Sequence, residues 1–485
     1  MATFFKYKST AELEAENTRL GIDLRFSDDL SPLFAPIVIG GRTVGNRWCG
    51  HPMEGCDGEL DGSPGELTFR RYVRFGAGGA KLLWGEACAV TQASRATPRQ
   101  ITLNESTKSA FVQIVADCHQ AHRDANGDDS DLLFGLQLTH SGRYSHPRPI
   151  IATHDPILDP RTVADKATGA KVTPDYPLIS DDELKRLVDD YVVAAKLAVD
   201  VGFDFIDVKQ CHRYLLNELL GARNRPGPYG GSYENRTRFA REAIQAVRAA
   251  VPSNIVIATR MNVYDGIPFS KAPPVADAPG SPEGVPDPHA LPLANGWGMS
   301  ETDPFAVDLT EPLRWIGEMR SLGVTLVNAT MGNPYAQPHY GRPFEYPPPD
   351  GYESPEHPLI GVDRHFRATE VIQKAFPDLA LIGTGYSYLQ EFLPQAAAAN
   401  VRDGRVHIVG VGRGTLSQPD WVRQLLDHGK LDRKRVCRTF SYCTALMRSK
   451  QHPLGQFPTG CPPFDKDTYG DIWKDAQQLN VKKPS

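Results

Sequence analysis

Residues 180–209 read SDDELKRLVDDYVVAAKLAVDVGFDFIDVK. Ser180, followed three residues later by Glu183, is a capping box, in which each side chain covers a free amide at the helix start. Leu184, Leu187, Val188, Tyr191 and Ala195 then recur at helical steps and mark one apolar face. Gly202 ends the helix, and FDFIDV follows as a short strand without polar alternation. A strand that is apolar on both faces belongs to a parallel sheet covered by helices. If this helix–strand unit repeats, it decides the fold class.

The unit repeats along most of the chain. Candidate strands lie at 47–52 (RWCGHP), 80–87 (AKLLWGEA), 132–140 (LLFGLQLTH), 203–209 (FDFIDVK) and 255–262 (IVIATRMN). Three more lie at 324–330 (VTLVNAT), 379–384 (LALIGT) and 405–412 (RVHIVGVG). Helical stretches at 234–251 and 311–323 carry the same apolar face. Eight such units predict a (β/α)8 TIM barrel with insertions rather than an open doubly wound sheet. The chain then divides into an N-terminal extension (1–30), a barrel (31–435) and a C-terminal extension (436–485). A proline-rich insertion at 264–310, including KAPPVADAPGSPEGVPDPHALP, follows the fifth strand; a second irregular stretch at 333–358 follows the sixth. Each reads either as a lid or as an ordered structural loop.

Composition narrows the function. The formal net charge is -5 with no basic block, which argues against nucleic acid or an acidic membrane surface as partner. The N-terminus has no apolar signal core, and no run reaches the length of a membrane span. The eight cysteines show neither metal spacing nor a dense disulfide pattern. A cytoplasmic protein acting on a small molecule is the expectation, and a homo-oligomer is left open.

In a barrel, polar residues at the C-terminal ends of several strands converge on one site. Glu54, Glu86, Gln137 and His140 stand at or just beyond the first three strand ends, Lys209, His212 and Tyr214 follow the fourth, and Arg260 lies in the fifth. Gly383 and Gly385, then Gly412, Arg413 and Gly414, come near the last strands. Glycines there let a phosphate approach backbone amides, and an arginine adds a charge-assisted contact. Together they describe a phosphate-bearing cofactor lying over a barrel mouth.

These residues also carry a resemblance. LFAPIVIGGRTVGNR, PMEG, RYVRFGAGGAKLLWGEA, LQLTHSGR, HRYLLNELL, YGGSYENRTRF, IATR and VGVGR occur in order. The chain resembles the old yellow enzyme family of FMN-dependent ene reductases, nearest the branch with trimethylamine dehydrogenase and 2,4-dienoyl-CoA reductase. The resemblance implies FMN resting on Pro52, Met53 and Glu54, with Ala87 near the ring and Gln137 on its pyrimidine edge. It implies Arg260 facing the N1–O2 side, and Gly383, Gly385, Gly412 and Arg413 at the phosphate. NAD(P)H is the implied electron donor and a carbonyl- or nitro-activated alkene the implied acceptor. Paired donors after the fourth strand grip the acceptor oxygen, and Tyr214 supplies the proton. No metal is implied at the site.

Four departures from the family pattern stand out. Lys209 occupies the place of the expected first histidine, beside His212. Glu54 stands where cysteine or threonine is usual, so it is either protonated or turned away from the flavin. Thr139 replaces a tryptophan, and His140 and Arg143 are read either as rim structure or as substrate contacts. Larger relatives add a four-iron cluster after the barrel, but Cys437, Cys443 and Cys461 are only three and lack the tight gaps, so an FMN-only enzyme is expected. Two alternatives remain in the sequence. One is flavin-dependent amine oxidation or N-demethylation, with Trp84, Tyr264 or Trp297 as an aromatic cage. The other is a metal-dependent hydrolase using His140, Lys209 and His212.

Overall fold

The computed structural model describes residues 4–273 and 282–481. Eight strands close a parallel barrel: β1 (Trp48–Gly50), β2 (Leu82–Ala89), β3 (Leu133–Thr139), β4 (Phe205–Val208), β5 (Val256–Tyr264), β6 (Val324–Met331), β7 (Ala380–Gly383) and β8 (Ile408–Val411). β5 pairs with β6 and β8 with β1, which completes the ring. All eight fall within a few residues of the strands expected from the apolar runs. A TIM barrel is therefore the fold.

The unit at 180–209 shows why. Ser180 Oγ accepts from Glu183 N at 3.2 Å, and Glu183 Oε2 accepts from Ser180 N at 2.8 Å, which starts the helix Asp181–Asp200. Leu184, Leu187, Tyr191 and Ala195 are buried, and Gly202 takes a left-handed φ of 103° on the way into β4. Further outer helices follow the other strands, among them Glu66–Ala77, Lys108–Asn126, Arg238–Ala250, Thr310–Ser321 and Pro358–Ala375.

One end of the barrel is filled. Cys49, Leu82, Trp84, Leu133, Phe205 and Val256 pack inside it, together with Ile39 and Val44 of a short antiparallel hairpin ahead of β1. The opposite end, at the strand C-termini, is left to polar residues.

Both irregular stretches are packed structure where they are described. Phe269–Lys271 pairs antiparallel with Gly284–Pro286, a hairpin too short and too proline-rich for the sequence to betray. Residues 274–281 of the KAPPVADAPGSPEGVPDPHALP stretch lie outside the described residues. Trp297 is buried and donates Nε1 to the Asn262 carbonyl at 3.0 Å. Backbone bonds join Gly284 to Glu353 and Glu353 to Pro282, so the insertion leans on the 333–358 stretch. The C-terminal segment folds back over the mouth, with Thr459 N donating to the Gly55 carbonyl at 2.6 Å. Arg70 and Arg74 both hold Asp465. Among the described residues no helix is long and apolar enough to cross a membrane.

Candidate active site

A cavity opens at the C-terminal mouth of the barrel, enclosing about 1160 Å³ including its opening. Pro52, Met53, Glu54, Ala87, Gln137, Lys209, His212, Tyr214, Arg260, Gly385, Gly412 and Arg413 all line it. Gly383 does not: it is the last residue of β7, facing Val406 and Tyr386 rather than the cavity. Two readings left open by the sequence are decided by physical contacts. Arg143 is buried in ion pairs with Asp159 and Glu218, and His140 Nδ1 accepts from Gly142 N, so both are rim structure. Trp84 donates into the barrel interior, Tyr264 to the Pro304 carbonyl and Trp297 to Asn262; none faces the cavity, so the expected amine cage is not assembled.

The loop after β4 is held in an uncommon conformation. His212 and Arg213 take φ of 66° and 59°, a left-handed region that costs a residue with a Cβ. Two asparagines from neighbouring strand ends stabilise it. Asn262 Oδ1 accepts from His212 N at 3.1 Å, and Asn333 Nδ2 donates to the His212 carbonyl at 2.6 Å. This turn carries the His212 ring into the cavity and starts the helix Leu215–Leu220 just after Tyr214.

Charge is concentrated here. Lys209 Nζ sits 3.9 Å from the Tyr214 ring centre. Burial and the charges of Arg260 and Lys209 hold the His212 imidazole well below its usual pKa, so it stays neutral. Burial pushes the Tyr214 phenol well up, with the Glu54 carboxyl adding to it, so it keeps its proton. Burial likewise raises the Glu54 carboxyl, which Lys209 partly counteracts. Among the described residues Glu54 Oε1 has no hydrogen-bond partner.

Asp207, at the inward position of β4, organises the floor. It accepts from Trp84 Nε1 at 2.8 Å, Gln137 Nε2 at 2.6 Å and Arg260 N at 2.9 Å. Burial raises its carboxyl to about 6, against the pull of these donors. One Gln137 amide N–H is taken by Asp207, which leaves its carbonyl oxygen and second N–H to meet a ligand.

Two guanidiniums share the cavity wall. Arg413 Nη2 donates to the Pro343 carbonyl at 2.6 Å, while among the described residues its Nη1 has no partner and neither do Arg342 Nε and Nη1. Burial and the nearby Arg413 and Arg448 charges lower Arg342 to about 9.

Residues 32–272 match the NADH:flavin oxidoreductase / NADH oxidase family. Over this span the chain belongs to that family. It is 28% identical over 251 residues to NADH:flavin oxidoreductase FG08077 of Gibberella zeae, covering 48% of this chain and 57% of that protein. It is 28% identical over 257 residues to an NADPH dehydrogenase of Listeria monocytogenes, covering 50% of this chain and 70% of that one. The alignment thus spans little more than half of the fungal relative. In structure it is similar to a 2-naphthoyl-CoA reductase solved with 2-naphthoyl-CoA, with TM-score 0.64 and 17% identity over 92% of this chain and 58% of that one. At that identity the likeness shows the fold.

The flavin of this family is FMN, and the cavity suits it. Among the charged residues lining it, Lys209, Arg260, Arg342 and Arg413 are cationic and Glu54 alone is acidic. Buried guanidinium N–H groups without an acceptor are costly, and the phosphate of FMN supplies one. Three residues in this picture were not reached from the sequence. Asp207 was hidden inside an apolar run. Tyr335 and Arg342 lie in the aperiodic 333–358 stretch, where the only available signal was its position after the sixth strand.

Proposed function

We propose that this member of the NADH:flavin oxidoreductase family is an FMN-dependent NAD(P)H oxidoreductase that reduces alkenes activated by a carbonyl or nitro group. FMN, when bound, supplies hydride transfer between the nicotinamide and the acceptor. The observation that supports the reading is Tyr214 with the Lys209 ammonium 3.9 Å from its ring centre and His212 beside it, in one cavity with guanidinium N–H groups that lack acceptors among the described residues.

The roles follow from the chemistry of each side chain. Arg413 and Arg342 would hold the phosphate, Gln137 the pyrimidine edge through the rest of its amide, and Arg260 the edge where negative charge gathers. Pro52, Met53 and Ala87 would line the ring, with Gly385 and Gly412 leaving room near the phosphate. Lys209 and neutral His212 would donate to the activating oxygen of the acceptor and stabilise the charge that develops there. Tyr214 would give its hydroxyl proton to the carbon next to the activating group. Amine oxidation is the less favoured reading, because the Lys209 ammonium already occupies the tyrosine face that a cationic substrate would use.

A visible spectrum of the purified protein and anaerobic mixing test this reading. A yellow protein bleached by NADH or NADPH and recoloured by a cyclic enone is expected. Bleaching by amines but not by nicotinamides would overturn it.

A further inference from the structure

The Tyr214 and Tyr335 hydroxyls lie 3.0 Å apart, brought together from the ends of β4 and β6 across 121 residues. Tyr214 is 3% exposed, whereas Tyr335 is partly open. Both line the cavity.

Tyr335 is firmly set. Asn333 Oδ1 accepts from its backbone N at 2.7 Å, and the Tyr144 ring packs 5.0 Å from the Tyr335 ring and 5.6 Å from that of Tyr214. Tyr144 accepts in turn from Asn333 Nδ2 at 2.7 Å. The same asparagine therefore fixes Tyr335, Tyr144 and the His212 carbonyl.

We propose that Tyr335 is a positioning residue for Tyr214: its hydroxyl donates to Tyr214 Oη, aims the Tyr214 proton at the acceptor and returns a proton afterwards. The proposal rests on the reading of Tyr214 as proton donor. A phenol has one proton, so when Tyr214 points its own at a substrate carbon, its oxygen can only accept. Tyr335 is the hydroxyl at hand to donate, and a phenol, with an ordinary pKa of about 10, keeps its proton at neutral pH. When the Tyr214 O–H bond breaks and the proton forms a C–H bond on the acceptor, the phenolate left behind is stabilised by the Tyr335 hydrogen bond. The Tyr335 proton then moves to Tyr214, and the partly open Tyr335 takes its replacement from water. Without this route the buried Tyr214 would have to wait for product release to recover its proton.

The test compares Tyr335→Phe with Tyr214→Phe in the flavin-loaded protein. Tyr335→Phe keeps the ring and its packing. Expected for it are unchanged flavin reduction by the nicotinamide, enone-driven reoxidation slowed about tenfold, the loss of one hydrogen bond, and a proton inventory in mixed H2O/D2O that turns from curved to linear. In protein labelled at tyrosine Cζ, the Tyr214 resonance, identified as the one missing in Tyr214→Phe, should shift in Tyr335→Phe even without substrate. If Tyr214→Phe slows reoxidation while Tyr335→Phe leaves the rate, the proton inventory and the resonance as they were, the proposal is overturned and the function stands. If Tyr214→Phe itself leaves reoxidation unchanged, Tyr214 is not the donor and both readings fall.

Discussion

The ammonium of Lys209 lies 3.9 Å from the ring centre of Tyr214, five residues further along the chain. The contact joins one of the residues that depart from the family pattern to the residue proposed to donate the proton. Burial lowers the Lys209 pKa, while the nearby Glu54 carboxyl opposes that shift. A cation on this ring stabilises the phenolate form of Tyr214 at the moment its proton leaves.

Tyr214→Phe should separate the two half-reactions. Reduction of the bound flavin by a nicotinamide should stay within about twofold, while reoxidation by an enone should slow by about 10²-fold or more. Stopped-flow absorbance follows both steps. Equal effects on the two steps would make Tyr214 a packing residue.

Lys209→Met should cost anionic ligands more than neutral ones. The lost charge-assisted bond corresponds to about 1.5–3 kcal/mol, or about 10–150-fold in affinity for a phenolate. A neutral cyclic enone should lose far less, and Lys209→His should fall between. Titration of flavin absorbance with a matched phenolate and enone gives both constants. Matching losses would make Lys209 a structural strand-end cation.

Arg342→Gln and Arg413→Ala should each weaken FMN about tenfold or more, the worth of a charge-assisted contact to phosphate. Riboflavin, which lacks the phosphate, should bind the variants and the parent alike. Fluorescence quenching of each flavin by apoprotein measures this. A riboflavin loss as large as the FMN loss would place these arginines in general packing.

Asp207→Asn should lower stability by about 1–3 kcal/mol. Three donors converge on Asp207, and an amide offers one oxygen and adds an NH2 that faces another donor. The Gln137 amide loses its anchor as well, so flavin affinity should fall with the unfolding midpoint in urea. An unchanged midpoint would show that the floor of the site tolerates the swap.

Stability should fall as pH drops below about 6.5. Burial lowers His122, His140 and His365 to about 4, so the unfolded chain binds these protons first. Each such group loses about 1.4 kcal/mol per pH unit between 6.5 and 4. Asp207, raised to about 6, and Glu86, raised to about 7, act the other way: their stabilising protons are lost as pH rises through those values. Histidines outnumber carboxyls, so the net trend is acid instability. Urea midpoints across this range should flatten by about one proton's worth of slope in His140→Gln; an unaltered slope would mean that His140 does not titrate there.

The barrel was legible in the sequence because its signals are local. A capping box, an apolar stripe at helical spacing and a strand apolar on both faces each act within a few residues, and residues 180–209 carry all three. The strand ends that point into the mouth follow from that order, and so do Lys209, His212, Tyr214, Arg260 and Arg413. The pairing of Tyr214 with Tyr335, the second guanidinium of Arg342 beside Arg413 and the three donors on Asp207 were decided only by the tertiary structure. Their partners are separated by 53 to 123 residues or lie in an aperiodic loop, and a hydrogen bond or a shared charge depends on closeness in space. Only closure of the barrel, with the 333–358 stretch and the C-terminal segment folded over its mouth, creates that closeness.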